Sequence, residues 1–294
     1  MAATDRTGLA PYLQAAPLAL VFLLFLVVPL AFIVMVSFWT YDNYQIQPAF
    51  TLQNYADVFD RCITRLPVLC TTFRTYLSTL GFALRVWVLT LGIGFTIAYF
   101  LAFEVRSKAV QSMLFLVCTI PFWTSNVIRM ISWIPLLGRE GLVNRTLMGI
   151  GAIDQPIDWL LYSSFSVTLT FVHLFTFFMV VPIYNSMLRI DRSLIEAARD
   201  AGASGWQILW NVIVPLSKTG IAIGSIFVLT IVMGDFVTVG LMGGQQIASV
   251  GKTIQTEISY LQFPIAAANA VVLLATVLLI VFALLRVVDI RKEL

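Results

Sequence analysis

The sequence predicts an all-α integral membrane protein of six transmembrane helices, with both termini on the cytoplasmic side. Composition is the first observation behind this. The 294 residues are 60% hydrophobic and only 11% charged, whereas a soluble domain carries about 25% charged residues. So few charges cannot cover a water-facing surface of this size, so the natural solvent is lipid. The second observation is six apolar segments of about 20 residues or more, the length a helix needs to cross the hydrocarbon core. Helices are required because an unclosed strand would leave backbone groups unpaired there.

The first span is read at about 16–39, behind Arg6. It is too long for a signal-peptide core, and no small-x-small cleavage site follows it. The second covers about 80–103, charge-free from Val86 to Phe103, and the third about 110–134. The fourth, 163–187, and the sixth, 265–287, sit in long charge-free runs, while Asp235 interrupts the fifth, 217–241. The whole chain, 1–294, reads as one transmembrane domain.

Orientation follows from lysine and arginine bias. With the N-terminus inside, the cytoplasmic pieces hold Arg6, Arg106, Lys108, Arg189, Arg192, Arg199, Lys218, Arg286, Arg291 and Lys292. The outer pieces hold Arg61, Arg65, Arg74, Arg139, Arg145 and Lys252 over a longer total length. The net charge of +3 fits membrane-flanking basic residues and does not point to nucleic acid.

Several chemistries are excluded. Cys62, Cys70, Cys118 and His173 offer no zinc spacing. Cys62 and Cys70 share one outer loop, where a disulfide and two free thiols are both open readings. Ala248–Thr253 ("ASVGKT") resembles the end of a phosphate-binding loop, but Gln246 stands where that motif needs glycine. A Ser–His–Asp triad would need His173, which lies mid-helix and reads as packing.

The segment 193–215, "SLIEAARDAGASGWQILWNVIVP", is the charged, punctuated stretch between the fourth and fifth spans. Ser193 and Glu196 fit a capping box, and Ser204 and Gln207 fit a second. Gly202 between them suits a left-handed C-cap, and Pro215 marks a break near the next span. The prediction is two short helices joined at a glycine elbow. Leu194, Ala197, Ala198 and Ala201 form one face of the first helix. That face either rests on the protein's own bundle or lets another protein's backbone approach closely.

"EAARDAG", nine residues and "VIVP" resemble the EAA signature of type I ABC importer permease subunits. Glu196, Ala197, Ala198, Gly202 and Pro215 keep its spacing, while Val212 and Val214 replace the usual Ile and Leu. "PFWTSNVIRMISW", "REGLVNRTL", "PLSKTGIAIG" and "MGDFVTVGLMGG" are similar to the spermidine/putrescine-type permease subfamily. The resemblance implies the type I importer permease fold in a bacterial inner membrane. In that fold Glu196, Ala197, Ala198, Ala201 and Gly202 belong to a cytoplasmic coupling helix docked on an ABC ATPase dimer. It also implies that ATP and magnesium are bound by that ATPase and not by this chain. A second permease subunit and an extracytoplasmic substrate-binding protein complete the implied assembly. Polyamines are the implied substrate, although relatives on the same scaffold carry opines, amino-acid derivatives or ferric iron. An ion-coupled secondary transporter with Asp235 as coupling site is the rival class, separable by uptake that persists without an ATPase.

Polar groups inside a bilayer mark functional pathways by default. Asp235 and Arg129 are the clearest, either facing a cavity or pairing with each other. Arg85 is explained by snorkelling near a helix end. Pro121 ahead of Phe122, Trp123, Thr124, Ser125 and Asn126 predicts a kinked third span with exposed carbonyls. Its aromatic rings could hold an ammonium by cation–π attraction or serve as interfacial anchors.

Overall fold

A computed structural model describes residues 10–42, 45–60, 62 and 70–287. The chain enters as α1 (Ala10–Phe22), passes a π turn at Leu23–Val27 and continues as α2 (Val28–Val36). A short antiparallel ribbon follows, β1 (Thr40–Asp42) on β2 (Gln45–Gln47), with Tyr41 opposite Ile46. It is the one departure from an all-helical fold among the described residues. Next come α3 (Gln53–Val58), α4 (Thr71–Tyr99, extended by a π turn to Glu104) and α5 (Lys108–Trp123). Three short helices, α6 (Asn126–Ile131), α7 (Ile134–Leu137) and α8 (Leu142–Gly149), lead to the long α9 (Ser164–Met187). The remainder is α10 (Arg192–Asp200), α11 (Gly205–Ile208), α12 (Val214–Leu216), α13 (Lys218–Gly234), α14 (Val237–Met242), α15 (Val250–Ser259) and α16 (Phe263–Val287).

The core is a three-helix unit in which α4 and α13 each pack along α9. Close approach on the α13 side depends on Gly220 and Gly224, a Gly-x-x-x-Gly pair of the kind that lets membrane helices touch. A Cβ on Gly220 would collide with the Pro182 carbonyl, and one on Gly224 would lie 2.7 Å from Met179 Sδ. Trp87 Nε1 donates to Ser225 Oγ at 2.7 Å, tying α4 to α13 with both polar atoms satisfied. By contrast, α1, α2 and α16 leave many large apolar side chains exposed. In water that surface would be an aggregation hazard, but in lipid it matches its solvent.

Four helices among the described residues are individually long and apolar enough to cross a membrane, and two bent pairs bring the number to six if each is one span. The fourth and sixth expected spans coincide with α9 and α16 to within about two residues. The second begins nine residues early, at Thr71 rather than 80. Thr75 and Thr79 donate their hydroxyls to carbonyls one turn back, so polar residues that lower the hydropathy of this stretch sit comfortably in a helix. The third expected span, 110–134, is not one helix: it turns by 90° between α5 and α6. The fifth runs straight only from Lys218 to Gly234 and meets the preceding α11–α12 segment at 67°. Arg85, read as a snorkelling side chain, is exposed and donates to Ser164 Oγ at 2.7 Å at the start of α9.

Candidate functional site: a capped elbow and a broken span

The two helices predicted within 193–215 are present, but the first cap is not the predicted one. Helix α10 starts at Arg192, and the Asp191 carboxylate accepts from the Ser193 backbone N–H at 2.9 Å. The Ser193–Glu196 capping box is therefore absent. Asp191 lies one residue ahead of the helix, where an acceptor side chain reaches the orphan amides, and it leaves Ser193 nothing to cap. Hydrogen bonds from Ser193 hold the Asp191 carboxyl below the usual carboxylate range. Glu196 is exposed and lines a cleft with Arg106, Arg192 and Arg199.

The far end of α10 follows the Schellman pattern. Gly202 has φ +82° and its N–H bonds Arg199 O at 2.8 Å, while Ala203 N bonds Ala198 O at 3.0 Å. The second capping box is complete: Gln207 N reaches Ser204 Oγ at 3.3 Å and Ser204 N reaches Gln207 Oε1 at 2.8 Å. The segment rests on its own bundle through Ile195, which is 9% exposed, and through half-buried Ala198. Leu194, Ala197 and Ala201 are exposed. The single alanine face of the sequence reading thus splits, with Ala198 turned in and the rest left open. Trp206 and Trp210, packed edge to face and both exposed, escaped the sequence reading.

In the broken third span, Thr124 and Ser125 form the corner. Thr124 turns its hydroxyl back to the Pro121 carbonyl at 2.9 Å, and Ser125 makes no capping bond. Trp123 is 80% exposed beside it. Phe122 contacts Trp123, Phe177 and Phe178, and Phe178 reaches Phe227, so aromatic rings from α5, α9 and α13 meet near the corner. Arg129 donates to the Asn126 side chain, while its buried Nε has no partner.

Asp235 and Arg129 do not pair. Both Asp235 oxygens are taken by Thr238, from its N–H at 2.7 Å and its hydroxyl at 3.0 Å. The break after Gly234 exposes the first amides of α14, and the carboxylate caps them. Helices α6 and α14 nevertheless pack together, so the two charged residues belong to neighbouring elements. His173 is not interior packing either: it is exposed on α9 and accepts from Trp133 Nε1 at 3.0 Å. Cys62 and Cys70 are joined by a disulfide. The Ala248–Thr253 stretch starts a helix, with Ser249 capping α15 and Lys252 Nζ donating to Gln255.

Residues 91–293 match the family described as binding-protein-dependent transport system inner membrane component. The chain belongs to that family. The spermidine/putrescine transport system permease protein PotB of Salmonella typhimurium is 33% identical over 252 residues, covering 85% of this chain and 84% of that protein. PotB of Escherichia coli K12 shows the same identity, over 85% and 87% of the two chains. The osmoprotective compounds uptake permease GgtC of Synechocystis is 29% identical over 64% of this chain and 71% of its own. A bacterial alginate ABC transporter, solved with an alginate pentasaccharide-bound periplasmic protein, aligns over 94% of this chain and 92% of its own at a TM-score of 0.71. At 19% identity that likeness establishes the fold. The chain is thus a permease subunit of a binding-protein-dependent ABC importer, an inner-membrane component.

Proposed function

We propose that this permease subunit forms half of the translocation pathway of an ATP-driven polyamine importer. The observation that carries the substrate is the 33% identity to spermidine/putrescine permeases over 85% of the chain. In this reading the chain crosses the bacterial cytoplasmic membrane six times with both termini inside, surrounded by lipid. It pairs with a second, non-identical permease subunit and receives substrate from an extracytoplasmic binding protein. ATP and magnesium are bound by a separate ATPase dimer. Glu196, Ala197, Ala198, Ala201 and Gly202 form the surface on which that ATPase docks. The closed geometry of α10 and α11 supports this role, since a docking piece must transmit motion without bending.

Trp123, Thr124, Ser125, Arg129 and Asp235 line the pathway in this proposal. The aromatic rings around Phe122 suit a protonated amine, which is attracted to ring faces. Arg129 does not suit one, and Asp235 supplies the compensating carboxylate in a neighbouring element. The resemblance to GgtC and the alginate transporter fold favours one alternative, a different small solute carried on the same scaffold.

Uptake of labelled spermidine and putrescine into cells lacking this chain tests the proposal. Uptake should fall to background and return with the wild-type chain. Unchanged polyamine uptake, with loss of another solute bound by the cognate binding protein, would overturn the polyamine assignment and leave the importer class standing.

A further inference from the structure

A cleft of about 560 Å³ opens where the ends of three long helices meet. The α4 π extension ends at Glu104, α5 starts at Lys108 and α9 ends at Met187. Its rim carries Arg106, Lys108 and Arg192, and its wall includes Phe103, Met187 and Leu188. No carboxylate lines it; Glu104 and Glu196 line the adjoining cleft of about 260 Å³, which Arg106 and Arg192 also border. Among the described residues, no hydrogen bond or ion pair engages any of the three cations. The nearby Gln111 amide is already committed to the Leu101 carbonyl at 2.7 Å.

The geometry points to a binding site for a phosphate oxyanion at headgroup depth, filled by an anionic phospholipid. Three unpaired cations above an apolar wall complement a phosphodiester attached to glycerol and acyl chains. A purely aqueous anion would leave the wall unused. Basic pockets between membrane helices are a recurrent way of holding such headgroups. A lipid seated here would touch both the start of α5 and Arg192, the first residue of α10. It would therefore brace the base of the elbow from the membrane side. The inference does not depend on which solute is carried.

Native mass spectrometry of the full-length chain, purified with the subunits that accompany it, provides the test. Phosphatidylglycerol is titrated in detergent micelles, with phosphatidylcholine as the neutral comparison. Each basic residue near an anionic surface contributes about a fivefold gain in binding, so Arg106→Gln, Lys108→Gln and Arg192→Gln together should weaken retention about a hundredfold. Lys108→Gln alone, at an exposed position, should give about fivefold, and Arg106→Lys with Arg192→Lys should retain the lipid. Inorganic phosphate is the second probe. Displacement of phosphatidylglycerol by phosphate supports an oxyanion site open to both sources, and failure to displace it assigns the site to the lipid. Equal phosphatidylglycerol retention by wild type and both glutamine variants would overturn the inference. So would loss of the accompanying ATPase from those variants with lipid retention unchanged, which would give the cations to a protein contact.

Discussion

Both the α10–α11 elbow and the α5–α6 corner are helix–break–helix units, and they solve the same problem in opposite ways. Breaking a helix strands amides on one side and carbonyls on the other. At the elbow these groups find local partners: Asp191, the Gly202 and Ala203 amides, and the Ser204–Gln207 box, all within 17 consecutive residues. At the corner only Thr124 turns back on Pro121, Ser125 caps nothing, and a buried Arg129 nitrogen is left over. The first break is closed and stiff by its own chemistry. The second is held by the packing around it and leaves polar atoms free. Under the proposed function, a piece that transmits force needs the former, and a wall that meets a passing solute needs the latter.

The largest expected effect breaks the stiff element. Gly202 sits at φ +82° with nothing within 4 Å of where a Cβ would be, so any penalty there is purely backbone. Gly202→Val should cost roughly 1–2 kcal/mol from the left-handed conformation alone, seen as lost ATPase retention and lost uptake. Gly202→Asn should keep most of both, because asparagine tolerates that conformation. Equal loss in both variants would show that the elbow is crowded by a partner and that backbone freedom is not what matters.

A smaller effect comes from pH. The Asp191 carboxyl is held below its ordinary range by Ser193. A depressed acid contributes its stabilisation in full above its unfolded value of about 3.9, and loses it as pH falls through the lower folded value. Protection of the Ser193 amide against hydrogen exchange, taken relative to its intrinsic rate at each pH, should therefore be high at neutral pH and fall below about pH 4. Asp191→Asn keeps an acceptor without the titration, so its exchange should show no such step. A wild-type profile identical to the asparagine variant would remove the carboxylate cap from the account of the elbow.

The same contrast explains what was legible in the sequence. The elbow was, because capping residues and a left-handed glycine act within a few residues of themselves. Even there, Ser193-x-x-Glu196 and Asp191-x-Ser193 are competing local patterns, and only the backbone decides between them. The start of α4 was hidden because threonines that satisfy their own helix carbonyls count as polar in a hydropathy window. The corner appeared only as a kink at Pro121, and the break falls three residues later, where tertiary packing sets it. Arg129 and Asp235 were readable as costly and not as unpaired, since the Asp235–Thr238 cap depends on α13 ending at Gly234. The Gly220–Gly224 approach was written in the sequence and needed only the right period to be found.

The smallest effect on stability is the most informative about the corner. Ser125 is exposed and its side chain makes no capping bond, so Ser125→Ala removes no interaction within the chain. Its effect on thermal unfolding should stay within about 0.5 kcal/mol, as for a surface change away from any special feature. If the corner lines the pathway, the same substitution should still change the concentration of solute giving half-maximal uptake. A purely structural corner would move stability and transport together, or neither. A change in transport with stability untouched is the signature of a group kept free for the solute. That outcome would separate the open break from the closed one by function as well as by geometry.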